Sequence, residues 1–63
     1  MHGAAFRAYR EALKMSQAEL AKRMRVSRYM IARYEKGDSP IDTVTEASIK
    51  QLARDEGIMV RYE

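Results

Sequence analysis

The chain has 63 residues, 46% of them hydrophobic and 33% charged, with one proline, three glycines and no cysteine. That length supports one small globular domain, and the composition favours helices; a disulfide framework and a thiolate zinc site are excluded, and the lone His2 builds no metal cage, so no metal or cofactor is expected. The net charge of +3 conceals an asymmetry: residues 1–37 carry nine Lys/Arg against three Glu, whereas residues 38–63 carry three against six acids, which points the first half toward an anionic partner or leaves it an unevenly charged, solvated surface.

Along residues 4–14, Phe6, Tyr9, Arg10 and Leu13 recur at helical spacing on one face. Met15 and Ser16 interrupt that pattern. Ser16-Gln17-Ala18-Glu19 then forms a capping box, with Met15 and Leu20 spaced as a hydrophobic staple, so a second helix is expected over 17–24 with Leu20, Ala21 and Met24 inward. The same punctuation returns eleven residues later. Ser27 is an N-cap, Val26 and Ile31 repeat the staple spacing, and a third helix runs over 28–36 to Gly37, which closes it in a left-handed conformation. Ser39-Pro40-Ile41-Asp42 reads as a cap, a proline at the first helical position and an acid in the first turn. A fourth helix is expected from there to about residue 56, with Ile41, Val44, Ser48 and Leu52 inward and Gly57 at its end.

After Gly57 the period changes. Ile58, Val60 and Tyr62 alternate with Met59, Arg61 and Glu63, the pattern of a short strand that would pair with its copy across a two-fold axis; a terminus packed on the core is the other reading. The expected organisation is one domain over residues 1–57 and a tail over 58–63. No apolar run approaches a membrane span and no charged-then-apolar leader opens the chain, so a soluble cytoplasmic protein with no membrane partner is expected.

Two capped short helices joined by a few residues, the second of them basic, have the form of a helix-turn-helix. Residues 15–27, MSQAELAKRMRVS, continuing through Ile31, Tyr34-Glu35-Lys36-Gly37 and Ser39-Pro40, resemble the Cro/C1-type (Xre) family, to which lambdoid phage repressors and Cro proteins, restriction–modification controllers and many antitoxins belong. The resemblance covers residues 4 to about 53. It implies an all-α, lambda-repressor-like domain of four helices, or five if the tail adds one, although the residues after Gly57 do not read as a helix.

The residues make physical sense on their own. In the third helix Met30, Ile31 and Tyr34 fall together and face inward, which leaves Arg28, Tyr29, Ala32, Arg33 and Lys36 on an opposite arc of about 140°. A basic face with a small residue at its middle suits a major groove about 12 Å wide. Arg28 and Arg33 each carry a fork matched to guanine O6 and N7, their alternative being solvated helix charges. Tyr29 can meet a thymine methyl group or a phosphate, or else cover a dimer interface. The resemblance implies that Ser27, Arg28, Tyr29 and Arg33 face bases or backbone and that Gln17 binds phosphate, where the helix amine end adds N–H donors. Lys36, Ser39 and the loop amides near Gly37 make a second phosphate site, with Arg25 and Lys22 as looser candidates. Arg10, a cation on an apolar face, requires a partner. The resemblance implies a partly buried pair with Glu35, from which Arg10 is lent to a phosphate. Family members often carry glycine where this chain has Arg25, so a left-handed turn there costs about 1 kcal/mol.

The function expected is a transcriptional regulator, a repressor that binds double-stranded DNA as a homodimer. The alternative is an antitoxin that binds a protein toxin and regulates its own operon; a protein-interaction module without DNA binding is a third reading. No converging acids, nucleophile or metal cluster suggests an enzyme, and no sensor region suggests a small-molecule ligand.

Overall fold

A computed structural model describes residues 1–61. Among them are four helices and no strand: α1 (Gly3–Ala12), α2 (Gln17–Met24), α3 (Arg28–Lys36) and α4 (Thr43–Asp55). The architecture is all-α, as expected. The bounds of α2 and α3 agree with the sequence expectation because both helices start on strong local caps. Ser16 Oγ accepts from the Glu19 N–H at 3.1 Å while Glu19 Oε1 accepts from the Ser16 N–H at 3.0 Å, and Ser27 Oγ accepts from the Met30 N–H at 3.1 Å.

All four helices end alike. A left-handed residue (Lys14, Arg25, Gly37, Gly57) turns the chain so that two successive N–H groups bond back to the last turn. Two of the four are basic rather than glycine, and each costs about 1 kcal/mol of backbone strain. Arg25, at φ 59°, is the left-handed turn anticipated between α2 and α3; Lys14, at φ 58°, was not anticipated, and it ends α1 two residues earlier than the apolar spacing suggested.

Phe6, Leu20, Ile31 and Ile49, one from each helix, are completely buried, and each contributes about 1.5–3 kcal/mol of apolar burial. Leu13, Ala21 and Tyr34 complete the central cluster, with the Phe6 and Tyr34 rings 5.3 Å apart and tilted. Gly3 lets the start of α1 press against the end of α3. A Cβ there would stand 2.7 Å from the Glu35 carbonyl oxygen and closer still to that of Tyr34.

The fourth helix departs from expectation at its start and in its inward face. Asp42, not Ser39, is the N-cap, accepting from the Thr45 N–H at 2.7 Å; the Ser39 hydroxyl is engaged by Arg33 instead. Of the expected stripe Ile41 and Leu52 pack on the core, whereas Val44 is 74% exposed and Ser48 is exposed, and Ile49 and Ala53 are the buried residues of the helix. The helix carries two weak apolar stripes, and the one through Ile49 packs on α1. Residues 58–61 form no regular element. The Ile58 N–H bonds to the Ala53 carbonyl at 2.8 Å and its side chain packs on the core, so at Ile58 the tail follows the packed-terminus reading. Val60 is half-buried, and Tyr62, the third residue of the expected dimer strand, lies outside the described residues.

Candidate nucleic-acid interface

The packing of α3 on both α1 and α2 holds one of its faces against the core through Ile31 and Tyr34 and leaves the other outward. On that outer face Arg28 and Lys36 are exposed, Tyr29 is 66% exposed, and Ala32 and Arg33 are half-buried. Arg28 occupies the first turn of α3, which contains no acid. A cation at the positive end of a helix is locally unfavourable by about 0.3–1 kcal/mol, a placement that an external anionic or acceptor-rich partner offsets. Ser27, exposed beside it, uses its oxygen as the helix cap, which leaves its hydroxyl proton free to donate.

The charge that sequence counting assigned to the first half is sorted by the fold. Three of the four cations on α1 and α4 are matched: Arg7 with Glu11 at 3.3 Å, Arg10 with Glu35 at 2.6 Å and Lys50 with Glu46 at 2.7 Å, while Arg54, bonded to Gln51, and Lys14, in the turn after α1, form no ion pair among the described residues. By contrast Lys22, Arg23, Arg25, Arg28 and Lys36, all exposed on α2, α3 and the turn between them, form no ion pair among the described residues. Unmatched cations concentrated on one pair of elements make a local positive field suited to a polyanion.

Beneath this face lies the Arg10–Glu35 pair. Arg10 Nε donates to Glu35 Oε2 at 2.6 Å and Nη2 donates to Oε1 at 3.1 Å, a two-point fork, while Nη1 donates to the Met15 carbonyl at 3.0 Å. The hydrogen bonds from Arg10 to Glu35 hold the guanidinium pKa above its ordinary value against the opposing effect of burial. With the Arg10 side chain 13% exposed and each of its three nitrogens bonded within the chain, the pair ties α1 to α3 and to the turn at Met15. Glu35 also accepts from Gln17 Nε2 at 3.3 Å, so one carboxylate ties α1 to α3 and orients the amide at the start of α2. The second N–H of that amide remains available for an external acceptor.

Arg33 is placed differently from the outward fork expected of it. Its Nε donates to Ser39 Oγ at 2.8 Å, Nη2 to the Asp38 carbonyl at 3.1 Å and Nη1 to the Tyr29 hydroxyl at 3.1 Å. Its guanidinium carbon stands 5.6 Å from the centroid of the Tyr29 ring. Sequence reading missed this network. The Tyr29–Arg33 spacing of four is a legible helix-surface contact, but the return to Ser39 crosses the turn at Gly37 and leaves no local signal.

A family model described as helix-turn-helix matches residues 6–55. The chain belongs to the Cro/C1-type helix-turn-helix family. Comparison with curated proteins and with solved structures finds no match. This Cro/C1-type domain is therefore a DNA-binding regulator module in which α2 and α3 form the helix-turn-helix. No helix is long and apolar enough to cross a membrane, and no group of three His, Cys, Asp or Glu side chains able to hold a metal comes together among the described residues.

Proposed function

We propose that the protein is a sequence-specific repressor that binds an inverted-repeat operator as a homodimer, with α3 of each protomer in the major groove. The observation that carries this reading is the set of unmatched cations on α2, α3 and their turn, continuous with the exposed Arg28 and Tyr29. Arg28 supplies the bidentate base contact, worth about 1–3 kcal/mol of discrimination. Ser27 and Tyr29 contact the bases or backbone beside it, and Arg33 acts with Tyr29. Gln17 and the amine end of α2 hold one phosphate, Lys36 and Ser39 hold a second, and Arg25 reaches a third. Three phosphates per protomer, six per dimer, give an affinity falling with salt at a logarithmic slope of about −5. Two recognition helices related by a two-fold axis require half-sites about 34–36 Å apart.

Selection of bound duplexes from a random DNA pool tests the reading. The expected result is an inverted repeat with a guanine preference that disappears in Arg28→Ala; recovery of no motif by the parent protein would refute it. A second reading, an antitoxin that also holds a protein toxin, is favoured by the exposure of Val44 (74%) and Met59 (80%) in the acidic half. It requires a stoichiometric complex with a second protein on co-purification from the native host.

A further inference from the structure

The network around Arg33 assigns roles within the proposed DNA-reading face, and the inference rests on that reading. An arginine grips guanine through two N–H groups presented together. In Arg33 the Nε and Nη2 donors both engage the α3–α4 loop, at Ser39 Oγ and the Asp38 carbonyl, much as the same two nitrogens of Arg10 grip Glu35. The third nitrogen, Nη1, donates to the Tyr29 hydroxyl. That hydroxyl oxygen thus receives a hydrogen bond from a cation, which leaves its own proton as the group it offers outward. Tyr29 is 66% exposed yet tethered at its tip, with the guanidinium near its ring, so its orientation is set before any partner arrives.

We propose that Arg33 is a positioning residue rather than a base reader, and that it presents Tyr29 as a hydrogen-bond donor to an acceptor edge in the major groove: purine N7, guanine O6 or thymine O4. Specificity then divides between Arg28, through its fork, and Tyr29, through a single donated proton. Ser39 is converted in the same way. Its oxygen accepts from Arg33 Nε, which leaves its proton to be donated to the phosphate proposed for this loop.

The test is selection from a random duplex pool by the full chain and by Tyr29→Phe, Arg33→Ala, Arg33→Lys and the Tyr29→Phe/Arg33→Ala double variant, with each variant's melting temperature measured alongside. Tyr29→Phe keeps the ring and removes only the hydroxyl, so it should lower discrimination at one operator position about fivefold, the worth of one hydrogen bond. Arg33→Ala should weaken the same position and no other, and the double variant should lose no more there than Tyr29→Phe alone. Arg33→Lys, a cation that restores a single donor, should recover part of that preference. Weakening or removing the acceptor that Tyr29 uses, with a 7-deaza purine for N7, 6-thioguanine for O6 or 4-thiothymine for O4, should shrink the difference between parent and Tyr29→Phe for one of these analogues. The inference is overturned if Arg33→Ala erases a preference at a position that Tyr29→Phe retains, or if Tyr29→Phe selects the parental sequence unchanged. If the parent selects no sequence, the DNA-reading proposal itself falls, an outcome distinct from either of these.

Discussion

Removing the Glu35 carboxylate is the sharpest test of how the recognition helix is held. Glu35→Ala deletes both acceptors of the Arg10 fork and the acceptor of Gln17, and leaves Arg10 with the Met15 carbonyl as its remaining bonded partner. The two side chains are 13% and 7% exposed, so water replaces the lost carboxylate only in part. Breaking a buried pair from one side costs about 3–5 kcal/mol, and the residual exposure of Arg10 places this case near about 3 kcal/mol. A domain of this size has a total stability of about 3–9 kcal/mol. Each kcal/mol shifts its melting temperature by about 4–8 °C, so a fall of about 12–24 °C is expected. The assay is thermal unfolding followed by circular dichroism at 222 nm on parent, Glu35→Ala, Arg10→Met and the double variant. Because the double variant leaves no uncompensated buried charge, it should be more stable than the sum of the single losses requires. A melting temperature for Glu35→Ala within 3 °C of the parent, or strict additivity in the double variant, would refute the argument.

Gly3→Ala should destabilise the fold by about 1–3 kcal/mol despite alanine's better helix propensity, because its Cβ would overlap backbone oxygens of α3 that have no flexible side chain to yield; denaturant unfolding checks this. Lys14→Gly and Arg25→Gly should each gain up to about 1 kcal/mol by relieving a left-handed backbone, but only Arg25→Gly should also weaken DNA binding, read by melting and by a duplex titration at fixed salt. Lys36→Ala should weaken binding to all sequences alike and reduce the magnitude of the salt slope by about 0.9 for each protomer's lost phosphate contact. The helix caps predict an acid limb of stability. Backbone N–H groups of Ser16 and Thr45 hold the carboxyls of Glu19 and Asp42 below their ordinary values of 4.5 and 3.8, so their contributions are fully present above those values and are lost as pH falls through the depressed ones. Glu19→Gln and Asp42→Asn should each flatten that limb in an acid titration of helicity.

The second and third helices were legible from residues 15–37 because their signals are local. A serine oxygen and an N–H three residues on meet whenever the backbone turns, and the staple spacings Met15–Leu20 and Val26–Ile31 accompany them. The inward face of α3 was legible for the same reason: Ile31 and Tyr34 are a helical step apart. Arg10 demanded a partner by its position among apolar residues, but that the partner was Glu35 came from the family resemblance and not from spacing.

What the tertiary structure alone decided were competitions between distant groups for the same atom or surface. Ser39 has the form of a helix cap, yet its hydroxyl goes to Arg33 across the Gly37 turn, and Asp42 starts α4 instead. The two weak stripes of α4 are nearly matched in apolar content, and contact with α1 selected the one through Ile49, leaving Val44 outside. Arg28 and Arg33 look equivalent on the helical wheel; the fold leaves one exposed and draws the other onto the loop. Short-range bonds and helical periodicity are written along the chain, whereas the choice among alternative partners depends on which elements the buried core brings within about 3 Å, the reach of a hydrogen bond.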